Sequence, residues 1–225
     1  MASPLDLQEQ EQLDALKAFW NRFGTLITTT LLVAVTAYAG WLGWQWYQRD
    51  QGYKAGAMFD ELERAVQAKD AERAGRIAAD LRQRFPGTAF AGQGALAAAR
   101  IQFDQGQADA ARAQLQWAAE SGKPEELQAV ARLRLAGLDL QAGKPDDALT
   151  QLAAIKVPAF APLAADRRGD ALMAQGKVDE AKAAYQEAWK GLDAEVEYRR
   201  VVEAKLDVLG APPAAAASAA SGSGS

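Results

Sequence analysis

Two pairs of adjacent carboxylates are the residues best suited by type to acid–base chemistry. Asp146 is followed by Asp147, and Asp179 by Glu180. Successive residues of a helix point about 100° apart, so neither pair can converge on one substrate group. Each pair follows a Gly-Lys dipeptide by one residue, where acidic side chains favour the positive end of a helix that is starting. The pairs therefore indicate helix starts and not a catalytic dyad.

Composition removes further kinds of chemistry. The 225 residues include no histidine and no cysteine, so Ser-His-Asp and Cys-His catalysis, His/Cys zinc sites and disulfides are excluded. The formal net charge is −4, and acidic and basic residues nearly balance over most of the chain, without the positive surplus that nucleic-acid binding needs. We expect a protein that is not an enzyme, with no cofactor, no metal and no nucleic-acid partner.

An uncharged segment of twenty-six residues runs from Phe23 to Gln48. As a helix it would span about 39 Å, against about 30 Å of membrane hydrocarbon. Aromatic residues gather at its ends, as at a membrane interface: Trp20, Tyr38, Trp41, Trp44, Trp46 and Tyr47. The segment predicts one transmembrane signal anchor over residues 23–48, in contact with the lipid bilayer.

Two alternatives to an anchor stay open. A buried core helix is one, although the length and the flanking aromatics count against it. A signal peptide cleaved after Ala39 is the other, but the leader of residues 1–22 is acidic and the apolar run continues past Ala39. Lysine and arginine flank both ends of the segment, so charge does not settle its orientation.

A helical unit then recurs four times. The segments AKDAERA, QGQADAARA, AGKPDDA and QGKVDEA align on Ala74, Ala111, Ala148 and Ala181, which lie 37, 37 and 33 residues apart. This spacing is close to the tetratricopeptide period of about 34. A helical bundle with accidental periodicity is the alternative.

The register assigns a role to each recurring residue. Gly106, Gly143 and Gly176 end the first helix of a unit. Small residues twelve positions before the aligned alanines let the two helices approach closely, and larger ones four positions after them fill the space beneath: Ala99, Ala136 and Gly169, then Leu115, Leu152 and Tyr185. The first unit is degenerate, with Lys69 in place of glycine and Leu62 in place of the small residue.

The chain after the repeats predicts a capping helix from Asp193 to Leu209, with Val196, Val201, Leu206 and Leu209 on its apolar face. Gly210 ends it, and residues 211–225 form a low-complexity tail expected to be disordered. The predicted fold is all-α: one transmembrane helix, a tetratricopeptide-like solenoid over residues 49–210, and a C-terminal capping helix.

Residues 55–191 resemble the tetratricopeptide repeat family. With the leader LQEQEQLDALKAFWNRFG running into the anchor, residues 1–210 resemble the YfgM-like ancillary subunits of the bacterial SecYEG translocon. The resemblance implies a single-pass inner-membrane protein with residues 1–22 in the cytoplasm and the repeats in the periplasm. It implies three kinds of partner: the SecYEG translocon, its membrane-anchored prolyl-isomerase-like chaperone, and exported clients.

Two other functions remain alternatives. One is a structural scaffold of another cell-envelope assembly, and the other is a regulator of a membrane enzyme that faces the cytoplasm. The side of the membrane on which the repeats lie distinguishes the cytoplasmic regulator from the other two functions. Co-purification with the translocon distinguishes the translocon subunit from the structural scaffold.

Repeat scaffolds of this kind bind through a concave face lined by the first helix of each unit. By register, seven polar residues face it: Gln93, Arg100, Asp104, Arg134, Gln141, Asp166 and Asp170. Phe103 and Met173 are candidate apolar contacts, although burial between units is the more ordinary role for both. Charged residues at such places often form only a solvated face. Trp117 and Trp189, late in second helices, are expected to pack internally.

Overall fold

The computed structural model describes residues 7–212, and the predictions for residues 1–6 and 213–225 lie outside them. Within this range the regular structure is helical: α1 Leu7–Gln67, α2 Ala71–Arg84, α3 Ala89–Asp104, α4 Ala108–Ser121, α5 Glu125–Gln141, α6 Pro145–Ala153, a 3-10 turn Pro158–Phe160, α7 Ala161–Ala174, α8 Val178–Gly191 and α9 Tyr198–Val208. The chain divides into two units, one through Gln51 and one from Gly52.

The first unit contains the apolar part of α1, which is long and apolar enough to cross a membrane. None of its most apolar stretch is buried within the protein, which argues against the alternative of a core helix. Three of its threonines satisfy their hydroxyls locally: Thr28 Oγ1 donates to the carbonyl of Gly24 at 2.7 Å, Thr29 Oγ1 to that of Thr25 at 2.7 Å and Thr36 Oγ1 to that of Leu32 at 2.8 Å. Their polarity therefore does not oppose insertion in lipid.

The second unit is a row of helical hairpins. Residues of α1 after Gly52 share one core with α2 and α3. The pairs α3/α4, α5/α6 and α7/α8 follow, each packed on the next, and α3 contacts α5 as α5 contacts α7. The first helices α3, α5 and α7 thus form one layer and the second helices another, as the tetratricopeptide pattern predicts.

The predicted register is confirmed. Ala74, Ala111, Ala148 and Ala181 are all fully buried, and the glycines Gly106, Gly143 and Gly176 have φ of 78°, 69° and 74°. A Cβ at Gly169 would lie 2.4 Å from Cε1 of Tyr185, so only glycine fits between these helices. The aligned alanines are buried in all four units and the glycines adopt the same conformation in three, which argues against accidental periodicity.

The first unit departs from the others as expected. Lys69 adopts φ 56° at the place of the junction glycine, and Leu62 is fully buried where the other units have a small residue. Asp70 caps α2 by accepting from the backbone N–H of Arg73 at 2.9 Å.

The capping helix exists, but two details of its prediction were wrong. It begins at Tyr198 and not at Asp193, so Val196 precedes it. Val202, fully buried, takes the place expected for Val201, which is 47% exposed. Leu206 is buried as predicted, and Gly210 follows the helix with φ 68°. Ala211 still packs on the last core cluster, so ordered packing extends one residue past the expected boundary.

Candidate partner-binding groove

The layer formed by α3, α5 and α7 bears a groove, called here the inner groove. Its first cavity, of about 350 Å³, brings together four of the predicted residues, Arg100 and Phe103 from α3 with Arg134 and Gln141 from α5. The rest of its lining is small or apolar: Ala99, Ala111, Leu115, Gly137 and Leu138. Cationic and apolar groups therefore meet at one place.

Arg134 is held in position at this cavity. Its Nη1 donates to the carbonyl oxygen of Leu96 at 3.0 Å, which ties α5 to α3. Burial lowers the pKa of the Arg134 guanidinium, and the neighbouring charge of Arg100 lowers it further. Because arginine stays protonated in proteins, two like charges face one cavity without neutralising each other.

Arg100 and Phe103 extend from α3 into solvent. The Arg100 side chain is 78% exposed, and its Nε lies 3.9 Å from Asp104 Oδ2, a long contact across one helical turn. Phe103 is 40% exposed, so burial between units does not describe it. An exposed aromatic ring beside an arginine is typical of a protein contact surface.

A second cavity, of about 510 Å³, continues the groove between α5 and α7. It shares Arg134, Gly137 and Gln141 with the first cavity. The remaining lining is mostly apolar and includes one more guanidinium: Val130, Leu133, Leu140, Leu163, Arg167 and Tyr198. Three arginines, one from each inner helix, therefore line a continuous surface.

The structure corrects the placement of Asp166, which is fully buried and cannot contact a partner. One carboxylate oxygen accepts from Tyr198 Oη at 2.6 Å and the other from Lys205 Nζ at 2.8 Å. Both donors belong to α9, more than thirty residues later. Asp166 was expected on the surface because those partners cannot be recognised from its own neighbourhood in the sequence.

Asp170, one turn later on α7 and partly buried, belongs to the same cluster. It accepts from Lys205 Nζ at 2.6 Å and from Tyr185 Oη at 2.8 Å, and its other oxygen from Arg167 at 3.2 Å. Burial, and next the hydrogen bond to each carboxylate, raise the pKa of Tyr185 and of Tyr198. We call Asp166, Asp170, Tyr185, Tyr198 and Lys205 the α9 lock.

The remaining predicted residues lie elsewhere. Gln93 is exposed on α3, two turns before Arg100, and Asp104 is exposed at the end of that helix; neither lines a cavity of the groove. Met173 is partly buried and lines a separate cavity of about 620 Å³ beside α9. Trp117 and Trp189 pack against core clusters, as expected.

Sequence reasoning missed two arginines. Arg167 enters the groove from a position adjacent to Asp166, so a shift of one residue in the register of α7 would have found it. The other is Arg112 of the second helix α4, whose Nη1 lies 2.7 Å from Oδ1 of the buried Asp139 and joins α4 to α5.

Comparison with known proteins identifies a family model and several relatives that this chain matches over most of its length. Residues 17–211 match the model of the tetratricopeptide repeat-like domain. A Neisseria gonorrhoeae protein is 32% identical over 90% of this chain and 98% of its own length. An Escherichia coli protein is 31% identical over 79% of this chain and 85% of its own, and a Haemophilus influenzae protein is 29% identical over 81% and 89%.

Each of these three relatives is named an ancillary SecYEG translocon subunit. The similarity covers nearly the full length of the first relative, and the family model spans both the apolar helix and the repeats of this chain. With its four-unit register and its N-terminal apolar helix, the chain belongs to the tetratricopeptide repeat-like family of ancillary SecYEG translocon subunits.

Proposed function

We propose that this chain is a membrane-anchored adaptor that associates with the Sec translocon and binds partner proteins through its repeats. The observation that carries the proposal is similarity over 98% of the length of a relative named as a translocon subunit. The inner groove supports it, because its arginines and exposed Phe103 form a contact surface and not a catalytic arrangement.

In this proposal residues 1–22 lie in the cytoplasm, residues 23–48 cross the bacterial inner membrane once, and residues 49–210 lie in the periplasm. The uncharged helix supports the crossing.

The proposed periplasmic partners are the membrane-anchored prolyl-isomerase-like chaperone of the translocon and exported client proteins. Solenoids suit such work because their extended concave surfaces can hold a partner along several repeats. We propose that the chain acts by protein binding alone and without a cofactor.

Site-specific photo-crosslinking in intact membranes tests the proposal. A crosslinker at Arg100 or Phe103 should capture a translocon component or a periplasmic chaperone. The matched control is Arg76, an exposed arginine of the second helix α2 that pairs with Glu72 at 3.6 Å; it should capture neither.

Three results would contradict parts of the proposal. Crosslinks confined to the membrane helix would move the interaction out of the groove. Capture of components of another envelope assembly would favour the structural scaffold, and capture of cytoplasmic proteins would favour the regulator that faces the cytoplasm.

A further inference from the structure

The inner groove combines a row of cations with an apolar floor, and this combination defines what it can hold. We propose that it binds an internal, extended segment of a partner protein in which acidic side chains alternate with apolar ones. The inference rests on the proposed function, since it names the chemistry of the partner that the adaptor takes.

The cations come from three successive inner helices. Arg100 of α3, Arg134 of α5 and Arg167 of α7 line the two joined cavities. Arg134 is fixed by Leu96 and keeps its charge beside Arg100. A carboxylate between these two guanidiniums would relieve their repulsion and accept charge-assisted hydrogen bonds from both.

Arg100 and Arg167 each have an acidic partner within the chain, and these partners compete only weakly with an incoming carboxylate. Arg100 reaches Asp104 only at 3.9 Å, and both side chains are largely exposed. Arg167 reaches Asp170 at 3.2 Å, but Asp170 is also held by Lys205 and Tyr185. An exposed ion pair such as Arg100–Asp104 contributes little, so an incoming carboxylate can replace it at small cost, while Asp170 keeps Lys205 and Tyr185 if Arg167 turns to a partner.

The floor requires apolar side chains in the same segment. Leu115 and Leu138 line the first cavity and Leu133 and Leu163 the second, while Phe103 stands exposed at the edge. Successive residues of an extended chain point to opposite sides. A segment of alternating character therefore sets apolar side chains on the floor while its carboxylates face the arginines.

The groove favours the interior of a chain over a chain terminus. Its two cavities are joined through Arg134, Gly137 and Gln141, so a bound chain passes from one to the other. A single C-terminal carboxylate would pair with the arginines of one cavity and leave the outermost arginine of the other cavity without a partner carboxylate.

The binding test uses the full-length chain in lipid nanodiscs and fluorescent peptides with both ends blocked. One peptide alternates Asp with Leu, and its neutral counterpart alternates Asn with Leu. Because a hydrogen bond to a charged group contributes about 1.5–3 kcal/mol, the Asp peptide should bind at least about tenfold more tightly. Equal affinity for the two would overturn the inference, as would preference for an Asn peptide with a free C-terminal carboxylate.

Charge reversal locates the site. Arg100→Glu should weaken binding of the Asp peptide at least about tenfold, whereas Arg76→Glu should leave it unchanged. Arg100 is chosen because its side chain is exposed and a substitution there leaves the fold intact, which circular dichroism confirms. Unchanged binding by Arg100→Glu would overturn the assignment to this groove.

The two proposals fail separately. If the unmodified chain discriminates the peptides but never co-purifies with the translocon, the adaptor role at the translocon is wrong while the groove chemistry stands. If it co-purifies yet binds Asp and Asn peptides alike, the translocon role stands and the acidic segment is wrong.

Discussion

Lys205 holds two carboxylates at once. Its Nζ lies 2.8 Å from Oδ1 of Asp166 and 2.6 Å from Oδ1 of Asp170. Asp166 is fully buried, and a buried charge is tolerated only when it is paired and hydrogen-bonded. The cluster therefore joins α9 to α7 by polar contacts that have few substitutes.

We predict that Lys205→Met lowers the free energy of unfolding by about 3 kcal/mol, because removal of one partner leaves a buried carboxylate without its cation. Urea unfolding of residues 49–210, followed by circular dichroism, measures the change. Adding Asp166→Asn to the same variant should restore part of the loss. A single variant as stable as the unmodified fragment would show that Asp166 does not depend on Lys205.

The two tyrosines of the α9 lock predict an alkaline limit to stability. Their pKa values are raised by burial and by hydrogen bonds to carboxylates, so the folded state holds their protons more tightly than the unfolded chain. The stabilisation is complete below the unfolded tyrosine pKa of about 10 and is lost as pH rises above it. Urea midpoints on either side of that pH should show the decline.

A matched pair of variants assigns the decline to these tyrosines. Tyr198→Phe should shrink it, while Tyr53→Phe, at a ring that is 81% exposed, should leave it unchanged. Lys205 is present in both variants, so a difference between their pH profiles of stability reports the contribution of Tyr198 alone. Identical pH profiles would remove Tyr198 from the explanation.

At this scale sequence reasoning succeeded where partners are local. The acidic pairs Asp146-Asp147 and Asp179-Glu180 do lie in the first turns of α6 and α8. It failed for Asp166, because Tyr198 and Lys205 lie 32 and 39 positions away. A charged residue in an amphipathic helix looks solvated until the helix that covers it has been placed.

Among the elements, the junctions between paired helices show how the repeat works. In three units a glycine occupies the left-handed region, and in the first unit Lys69 does so with φ 56°. A side chain in the left-handed region costs about 1–2 kcal/mol. Glycine avoids this cost but loses more backbone entropy on folding, so the net advantage of glycine is smaller.

We predict that Lys69→Gly stabilises the repeat domain by roughly 0.5–1 kcal/mol, because it relieves backbone strain. The bond from Gln105 Nε2 to the Lys69 carbonyl uses only the backbone and survives the change. Gly176→Ala should have the opposite sign. Thermal unfolding of the three proteins decides the matter, and a destabilised Lys69→Gly would show that the lysine side chain contributes to the fold.

A second element-scale prediction concerns the hairpin contact. Ala181→Phe should destabilise the fold by about 1–3 kcal/mol, because the residue is fully buried between packed helices. Ala183→Phe, on the exposed side of the same helix, serves as the control and should change stability by about 0.5 kcal/mol or less. Equal costs at the two positions would contradict the observed packing.

The helices were predictable in proportion to how often their pattern repeats. Four occurrences located the alanines of the hairpins correctly, and three located the glycines. The capping helix occurs once, and its buried face was displaced by one residue, from Val201 to Val202. The 3-10 turn Pro158–Phe160 interrupts a longer connection and had no counterpart elsewhere in the chain from which to infer it.

For the whole molecule, we predict that the full-length chain stays in membranes through alkaline carbonate washing, because residues 23–48 form an uncharged helix long enough to cross. Protease added to spheroplasts should remove the repeats, as the proposed periplasmic location requires. Repeats cleaved only after lysis would reverse the orientation. A mature chain that begins after Ala39 would instead establish the cleaved signal peptide.

The inner groove was predictable in outline. Register placed Arg100, Phe103, Arg134 and Gln141 on inner helices, and the structure brings these four around one cavity. The cation from Arg167 and the burial of Asp166 depend on the rotation of α7 against α9, which one turn of sequence does not determine. Periodicity thus predicts which helices form the surface, and tertiary contacts decide which side chains remain on it.

The α9 lock also imposes an order in time. A ribosome makes Asp166 and Asp170 well before Lys205, so the emerging α7 must wait for a residue 39 and 35 positions later before these carboxylates gain their cation. Until then Tyr185 and Ala188, buried in the finished protein, lack their cover. A chain that ends before Tyr198 would therefore leave this apolar edge of α8 open to water, without the cover that Val202 and Leu206 give it in the finished protein.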